Sequence, residues 1–118
     1  MNGEYIPKQG DIVLIDPSPA AEGHEQAKGR PWLVVSSKPY HDKMGLMLAV
    51  PVTTAVKGNP FEVAIVGAKE VTGTALAHQV QCLDWRARKA RQIDHVNPQV
   101  VADIGGIIDV IVKVRPGG

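Results

Sequence analysis

The stretch Leu46-Met47-Leu48-Ala49-Val50-Pro51-Val52-Thr53-Thr54 decides the fold class of this chain. It is a short apolar run closed by hydroxyl side chains, and a run of that length and composition reads as a β-strand. Working outward, comparable Val- and Ile-rich runs occur at Ile12-Val13-Leu14-Ile15, Pro31 to Ser36 and Phe61 to Val66. Others lie at Thr74 to Ala77, Val80 to Leu83 and Arg91 to Val96. Gly, Pro, Asn or Asp bounds each of them, as turn chemistry requires. Their starts are roughly ten to fifteen residues apart, which leaves no room for the crossover helices of a parallel sheet. The pattern predicts a mainly β chain, an antiparallel sheet or small barrel.

The C-terminal part has a different period. Val100, Val101, Ile104, Ile107, Ile108 and Ile111 recur at three- and four-residue steps, one face of a helix. Asn97 suits its N-cap and Pro98 its first position. Gly105-Gly106 costs roughly 1 kcal/mol per glycine against alanine, so the helix is expected to bend or stop there. A second, shorter helix is expected over 38–43. The expected organisation is one domain over 1–118, with its body at about 5–113 and a flexible tail at 114–118.

With 118 residues, 44% of them hydrophobic and 21% charged, the chain is long enough for a single core and too apolar for disorder. A net charge of +1 does not announce a nucleic-acid binder. Locally, Arg86, Arg88, Lys89 and Arg91 form a basic cluster without an intervening acid, either a phosphate-attracting patch or a solvated turn. Cys82 is the single cysteine and is expected to be a small buried or half-buried residue; no intrachain disulfide is possible, which suits a reducing compartment. The start has neither the basic nor the apolar region of a secretory signal, and no apolar stretch reaches membrane-spanning length. A cytoplasmic protein without a membrane partner is expected.

Chemistry concentrates in the loop Gly23-His24-Glu25-Gln26-Ala27-Lys28-Gly29-Arg30-Pro31, just before the run Trp32-Leu33-Val34-Val35. Arg30 is thereby held at a strand mouth, and Thr53 stands at the end of another strand. A guanidinium and a hydroxyl at two strand ends suggest an anion site, with phosphate chemistry the first to test. The histidines His24, His41, His78 and His95 show no metal-ligand spacing, and Cys82 has no partner cysteine, so neither metal nor cofactor is expected. No phosphate-binding P-loop or dinucleotide fingerprint is present.

These residues carry a family resemblance. Tyr5-Ile6-Pro7 with Gly10-Asp11, the His24-Glu25-Gln26 loop with Arg30-Pro31, and Pro51-Val52-Thr53-Thr54 stand in the order seen in MazF/PemK-type endoribonuclease toxins of bacterial toxin–antitoxin pairs. Lys57 to Val63, Ala75-Leu76-Ala77 with Gln79-Val80, and Asp84-Trp85-Arg86-Ala87-Arg88 continue the match. The resemblance implies an SH3-like barrel shared with CcdB, a homodimer, and metal-independent cleavage of single-stranded mRNA through its 2′-OH. It also implies a MazE-like acidic antitoxin as partner and a short cleavage site of a few bases, adenine-containing like ACA.

Carried over by position, Arg30 and Thr53 are the central catalytic pair, with Glu25 and His24 beside them. Glu25 is either a general base or the orienter of Arg30; His24 is an acid, a base or a solvated loop residue. Gln26, Lys28, Lys57, Asn59, His78 and Gln79 are the expected RNA contacts. Two positions depart from the family pattern. His78 stands where many relatives have aspartate, so it either takes over proton transfer or shapes base recognition. Gly29 replaces a frequent histidine. Phe61 is expected in the core rather than stacked on a base, and Trp32 and Trp85 in the core or at a dimer interface. The alternatives are a non-catalytic binding module on the toxin fold or a CcdB-like gyrase poison. The Arg115-Pro116-Gly117-Gly118 end lacks the Trp-Gly-Ile type of terminus expected of the latter.

Overall fold

The computed structural model describes residues 4–17 and 29–118. Among them, seven strands and two α-helices follow in the order β1 (Asp11–Leu14), β2 (Trp32–Val34), α1 (Lys38–Met44), β3 (Met47–Thr53), β4 (Glu62–Ala64), β5 (Thr74–Leu76), β6 (Gln81–Leu83), β7 (Arg91–His95) and α2 (Pro98–Val112). A 3-10 turn, Ala77–Gln79, links β5 to β6. Every expected strand is present, each within its expected run, allowing for a residue at the ends. All pairings are antiparallel, in the order β4-β5-β3-β2-β1-β7, and β6 also pairs with β3.

Strand β3 organises the sheet. One edge takes β2, with Trp32 opposite Pro51 and Val34 opposite Ala49. The other edge takes β6 at Met47 to Ala49 and then β5 at Val52 and Thr53. Sharing one edge between two partners turns a sheet toward a barrel, since the two partner strands leave in different directions.

Both faces of the central strands are buried, which explains their continuous apolar runs in place of strict alternation. Ile12, Leu33, Val50 and Val52 face one core with Val63, Ala75, Val96, Val100 and Ile104. Their neighbours Val13, Val34 and Ala49 face a second core with Met47, Leu83 and Trp85. Each such aliphatic side chain contributes about 1.5–3 kcal/mol by leaving water. Trp85 is buried in the second core, as expected, and donates its indole N–H to the His41 carbonyl at 3.1 Å.

Helix α2 starts as the sequence predicts, with Asn97 Oδ1 accepting the Gln99 N–H at 3.1 Å and Pro98 in the first turn. It does not stop at Gly105-Gly106 but runs on to Val112. Val100 and Ile104 anchor it in the first core, and Ile107 and Ile108 pack on that core beyond the glycines. Tertiary packing on both sides of the pair outweighs their low helix propensity. Helix α1 is the expected short one and ends on Gly45, whose φ of 72° gives the left-handed cap.

Two expectations about burial fail. Cys82 is exposed, because β6 pairs with β3 alone and leaves that side chain on the outside. Phe61 is 37% exposed and lies just before β4, not in the core. The basic cluster is largely committed within the protein. Arg86 pairs with Glu4 at 2.6 Å and lies over the Trp85 ring; Arg88 and Arg91 donate to the Asp16 carbonyl and carboxylate, respectively. Among the described residues, no helix is long and apolar enough to cross a membrane.

Candidate active site

The register of β2 on β3 fixes the centre of the site. Trp32 pairs with Pro51, and the Val52 N–H donates to the Pro31 carbonyl at 2.9 Å. Extending that antiparallel ladder by one step sets Arg30 across from Thr53. Thr53 in turn pairs with Thr74 of β5, while Glu62 of β4 pairs with Leu76. Four strands therefore meet around one cleft.

The cleft has a volume of about 390 Å³ and is lined by Arg30, Thr53, Lys57, Asn59, His78 and Gln79, together with Ala55, Glu62 and Leu76. Six side chains singled out from four separate stretches of sequence thus converge on one surface. His24, Glu25, Gln26 and Lys28 lie outside the described residues. The basic cluster does not line the cleft. Among the described residues no three His, Cys, Asp or Glu side chains group as metal ligands would.

Local geometry gives each group its availability. The Thr53 Oγ1 accepts the Ala55 N–H at 3.0 Å, a turn that pins the side chain and leaves its O–H to donate elsewhere. Gly73 has φ +116°, and a Cβ there would come 2.3 Å from the Thr53 carbonyl oxygen. Only glycine lets β5 approach this closely. Arg30 is exposed at the rim.

Glu62 is the residue that sequence reasoning overlooked. Its carboxylate accepts the Lys57 N–H at 3.0 Å, the Gly58 N–H at 2.8 Å and the Asn59 Nδ2 at 3.3 Å. It folds the Lys57-Gly58-Asn59 turn back on itself, with Gly58 at φ +78°. The three donors also offset a negative charge that would otherwise oppose an anion in the cleft. The signal was present as a carboxylate a few residues beyond a Lys-Gly turn, although only the fold shows that it reaches back. Asn59 is largely spent on the same turn, since its Oδ1 accepts the Phe61 N–H at 2.8 Å. One amide hydrogen remains for a ligand.

The 3-10 turn after β5 carries His78 and Gln79 into the cleft. The His78 ring lies 4.9 Å from the Phe61 ring, centroid to centroid, at 36°. Chemically, the site offers a permanently charged fork of donors, a pinned hydroxyl, an ammonium on a folded turn and an imidazole. That set suits a phosphodiester, with the guanidinium placed to stabilise developing charge on phosphorus-bound oxygen.

Comparison with known proteins bears on the chain as a whole. The family model of PemK-like, MazF-like toxins of type II toxin–antitoxin systems matches residues 8–112. The chain is 42% identical over 112 residues to the endoribonuclease toxin MazF of Escherichia coli K12, covering 95% of this chain and 99% of that protein. Among solved structures, MazF from Deinococcus radiodurans matches with a TM-score of 0.80 at 38% identity, covering 94% of this chain and 100% of that one. The MazE–MazF complex from the same organism gives a TM-score of 0.80 at 33% identity, over 95% and 100%.

Proposed function

The chain belongs to the PemK-like, MazF-like toxins of type II toxin–antitoxin systems, and from that premise we infer that it is an endoribonuclease toxin neutralised by a cognate antitoxin. The observation that carries the reading beyond kinship is the cleft where Arg30 and Thr53 line one wall system with Lys57, His78 and Gln79.

The substrate is single-stranded mRNA, cut at a short motif so that translation is inhibited. The ribose 2′-OH attacks the adjacent phosphorus, and the products carry a 2′,3′-cyclic phosphate and a 5′-hydroxyl. No metal is needed, because the substrate supplies its own nucleophile and the protein a fixed positive charge. Arg30 stabilises the phosphorane, and Thr53 donates its O–H to a non-bridging oxygen. His24 and Glu25 are the groups of the preceding loop assigned to proton transfer and to orienting Arg30. Gln26, Lys28, Lys57, Asn59, His78 and Gln79 hold the strand.

The active form is a homodimer, and it works in the bacterial cytoplasm, where mRNA is accessible and the lone thiol of Cys82 stays reduced. A MazE-like antitoxin silences it by covering the cleft with a segment that folds on binding.

The test is cleavage of a long, EDTA-treated single-stranded RNA by the purified protein, with the ends mapped. The account expects cuts at one short motif, 5′-hydroxyl ends, and no cut where a deoxyribose precedes the scissile phosphate. Cleavage that survives the deoxyribose would refute the 2′-OH route. A folded protein that leaves the RNA intact would refute the enzyme.

A further inference from the structure

Five residues of the chain are Phe, Trp or Tyr, and four of them are occupied elsewhere: Trp85 is buried, Trp32 and Tyr5 pack against the second core, and Tyr40 is half-buried beside His41. Phe61 is the exception. It is exposed, yet its backbone is fixed twice, by its own N–H on Asn59 Oδ1 at 2.8 Å and by its carbonyl, which accepts the Ala77 N–H at 3.0 Å. The second bond ties it to the 3-10 turn that carries His78. Two aromatic rings are thus held in contact, 4.9 Å between centroids, by neighbouring pieces of rigid backbone. Phe61 faces the apolar groove along α2 with Gly106 and Ile107, while His78 lines the cleft with Arg30 and Thr53. The imidazole therefore has one side against Phe61 and the cleft beside it.

An exposed imidazole backed by a second ring presents a π-face beside the cleft, and an unstacked nucleobase is flat, aromatic and attached to the phosphate that the cleft suits. We propose that His78, backed by Phe61, is a stacking shelf for a nucleobase flanking the scissile phosphate, a substrate-positioning residue and not a proton carrier. The proposal rests on the ribonucleic-acid reading of the cleft. It resolves the choice left open at this position: with one side spent on Phe61, the imidazole works through its π-face, a role aspartate cannot fill. Phe61 orients the shelf without touching the base.

The test is binding, so that it stands apart from cleavage. The probes are fluorescent 2′-O-methyl decamers of A, C, G and U, and an abasic decamer of the same backbone, which the 2′-OH route cannot cut. Stacking of one base on an aromatic side chain predicts that His78→Ala weakens binding of the base-bearing decamers by about 5- to 100-fold. His78→Phe stays within about threefold of wild type, because it keeps the π-face and cannot carry a proton. Phe61→Leu, which keeps an apolar side chain of similar size, gives a smaller loss than His78→Ala. On the abasic decamer the gap between wild type and His78→Ala closes. Equal binding by His78→Ala, an equal loss in His78→Phe, a gap that persists on the abasic decamer, or no binding of any decamer by wild type would each overturn the shelf. A protein that shows the expected pattern but leaves natural RNA uncut keeps the shelf and loses the nuclease.

Discussion

Two polar clusters sit at opposite ends of the β1–β2–β3 sheet, and they differ in whether their donors and acceptors are used up. At the Asp11 end, the fully buried carboxylate accepts from the Tyr5 hydroxyl, the Lys8 N–H at 3.0 Å, Gln92 Nε2 at 3.0 Å and His95 Nδ1 at 2.8 Å. Burial and the Asp11 carboxylate push the Tyr5 hydroxyl well above its ordinary pKa, so it remains a donor. His41 nearby is closed in the same way, with Nδ1 on the Pro7 carbonyl at 2.7 Å and Nε2 on Ser36 Oγ at 2.6 Å. At the Thr53 end, Arg30 and His78 open into a cleft, and Thr53 keeps its O–H. The Asp–His pair looks more catalytic on paper, yet its carboxylate is saturated by its own protein, and His95 reaches solvent only with the ring edge that Asp11 does not hold. The lesson is that a buried, fully satisfied carboxylate marks the framework, whereas a guanidinium, a hydroxyl and an imidazole that converge on one open cleft mark the candidate chemistry.

Mutations at the two ends should therefore read out in different assays. The largest effect is expected for Asp11→Ala, which strands several buried or half-buried donors and should cost about 3–5 kcal/mol in urea unfolding. The fraction that stays folded should cleave RNA within about threefold of wild type. Normal stability with lost cleavage would instead make Asp11–His95 a catalytic pair. Gly73→Ala joins the two readouts, because its Cβ must displace the Thr53 carbonyl oxygen. It should cost about 2–3 kcal/mol and lower cleavage by the folded protein as well, whereas an undisturbed rate would show that Thr53 tolerates movement.

Thr53→Val, close in shape, should lower the single-turnover rate about tenfold while the melting temperature moves by about 2 °C or less. The smallest effect is in pH. Burial holds the His41 imidazole below its ordinary pKa, although the Pro7 carbonyl and Asp11 act against that. The unfolded chain then takes up a proton near pH 6.5 that the folded protein refuses, so this share of stability is present above that pH and fades below it. His41→Gln should flatten that limb. Burial would raise the Asp94 pKa, but the N–H groups of Lys69, Val71, Glu70 and His95 outweigh it and hold the carboxyl well below the usual carboxylate range. Its contribution is present above about pH 4 and is lost as the pH falls further. Asp94→Asn should remove about 1 kcal/mol at neutral pH and reduce the acid limb below pH 4, and an unchanged profile would dismiss it as an anchor.

The strands were legible because each apolar run ends at its own turn chemistry, and β3 could be read from Met47 to Thr53 almost residue by residue. Helix α2 was legible through its cap and period, but its passage over Gly105-Gly106 was not, since the packing that carries it belongs to other strands. Cys82 and Phe61 were misplaced for one reason. A strand-like neighbourhood predicts burial, whereas exposure depends on which strand is left at an edge. The basic cluster looked free because its acidic partners, Glu4 and Asp16, lie more than 70 residues earlier in the chain. At the site, Arg30, Thr53, Lys57, Asn59, His78 and Gln79 were all legible as residue types, and the cleft brings them together. The binding of Glu62 to its own turn, the pairing of His78 with Phe61 and the close approach of Gly73 required tertiary geometry.

Arg30 is the group in the cleft assigned to the charge that develops on phosphate oxygen. The decisive measurement is the single-turnover cleavage rate of Arg30→Ala beside wild type on one RNA carrying the mapped site, with the melting temperature of both. Loss of a donor aimed at transition-state charge predicts a fall of about 10²- to 10³-fold with the melting temperature nearly unchanged. A folded Arg30→Ala that cuts the same bond at the wild-type rate would contradict the assignment of the chemistry to this cleft.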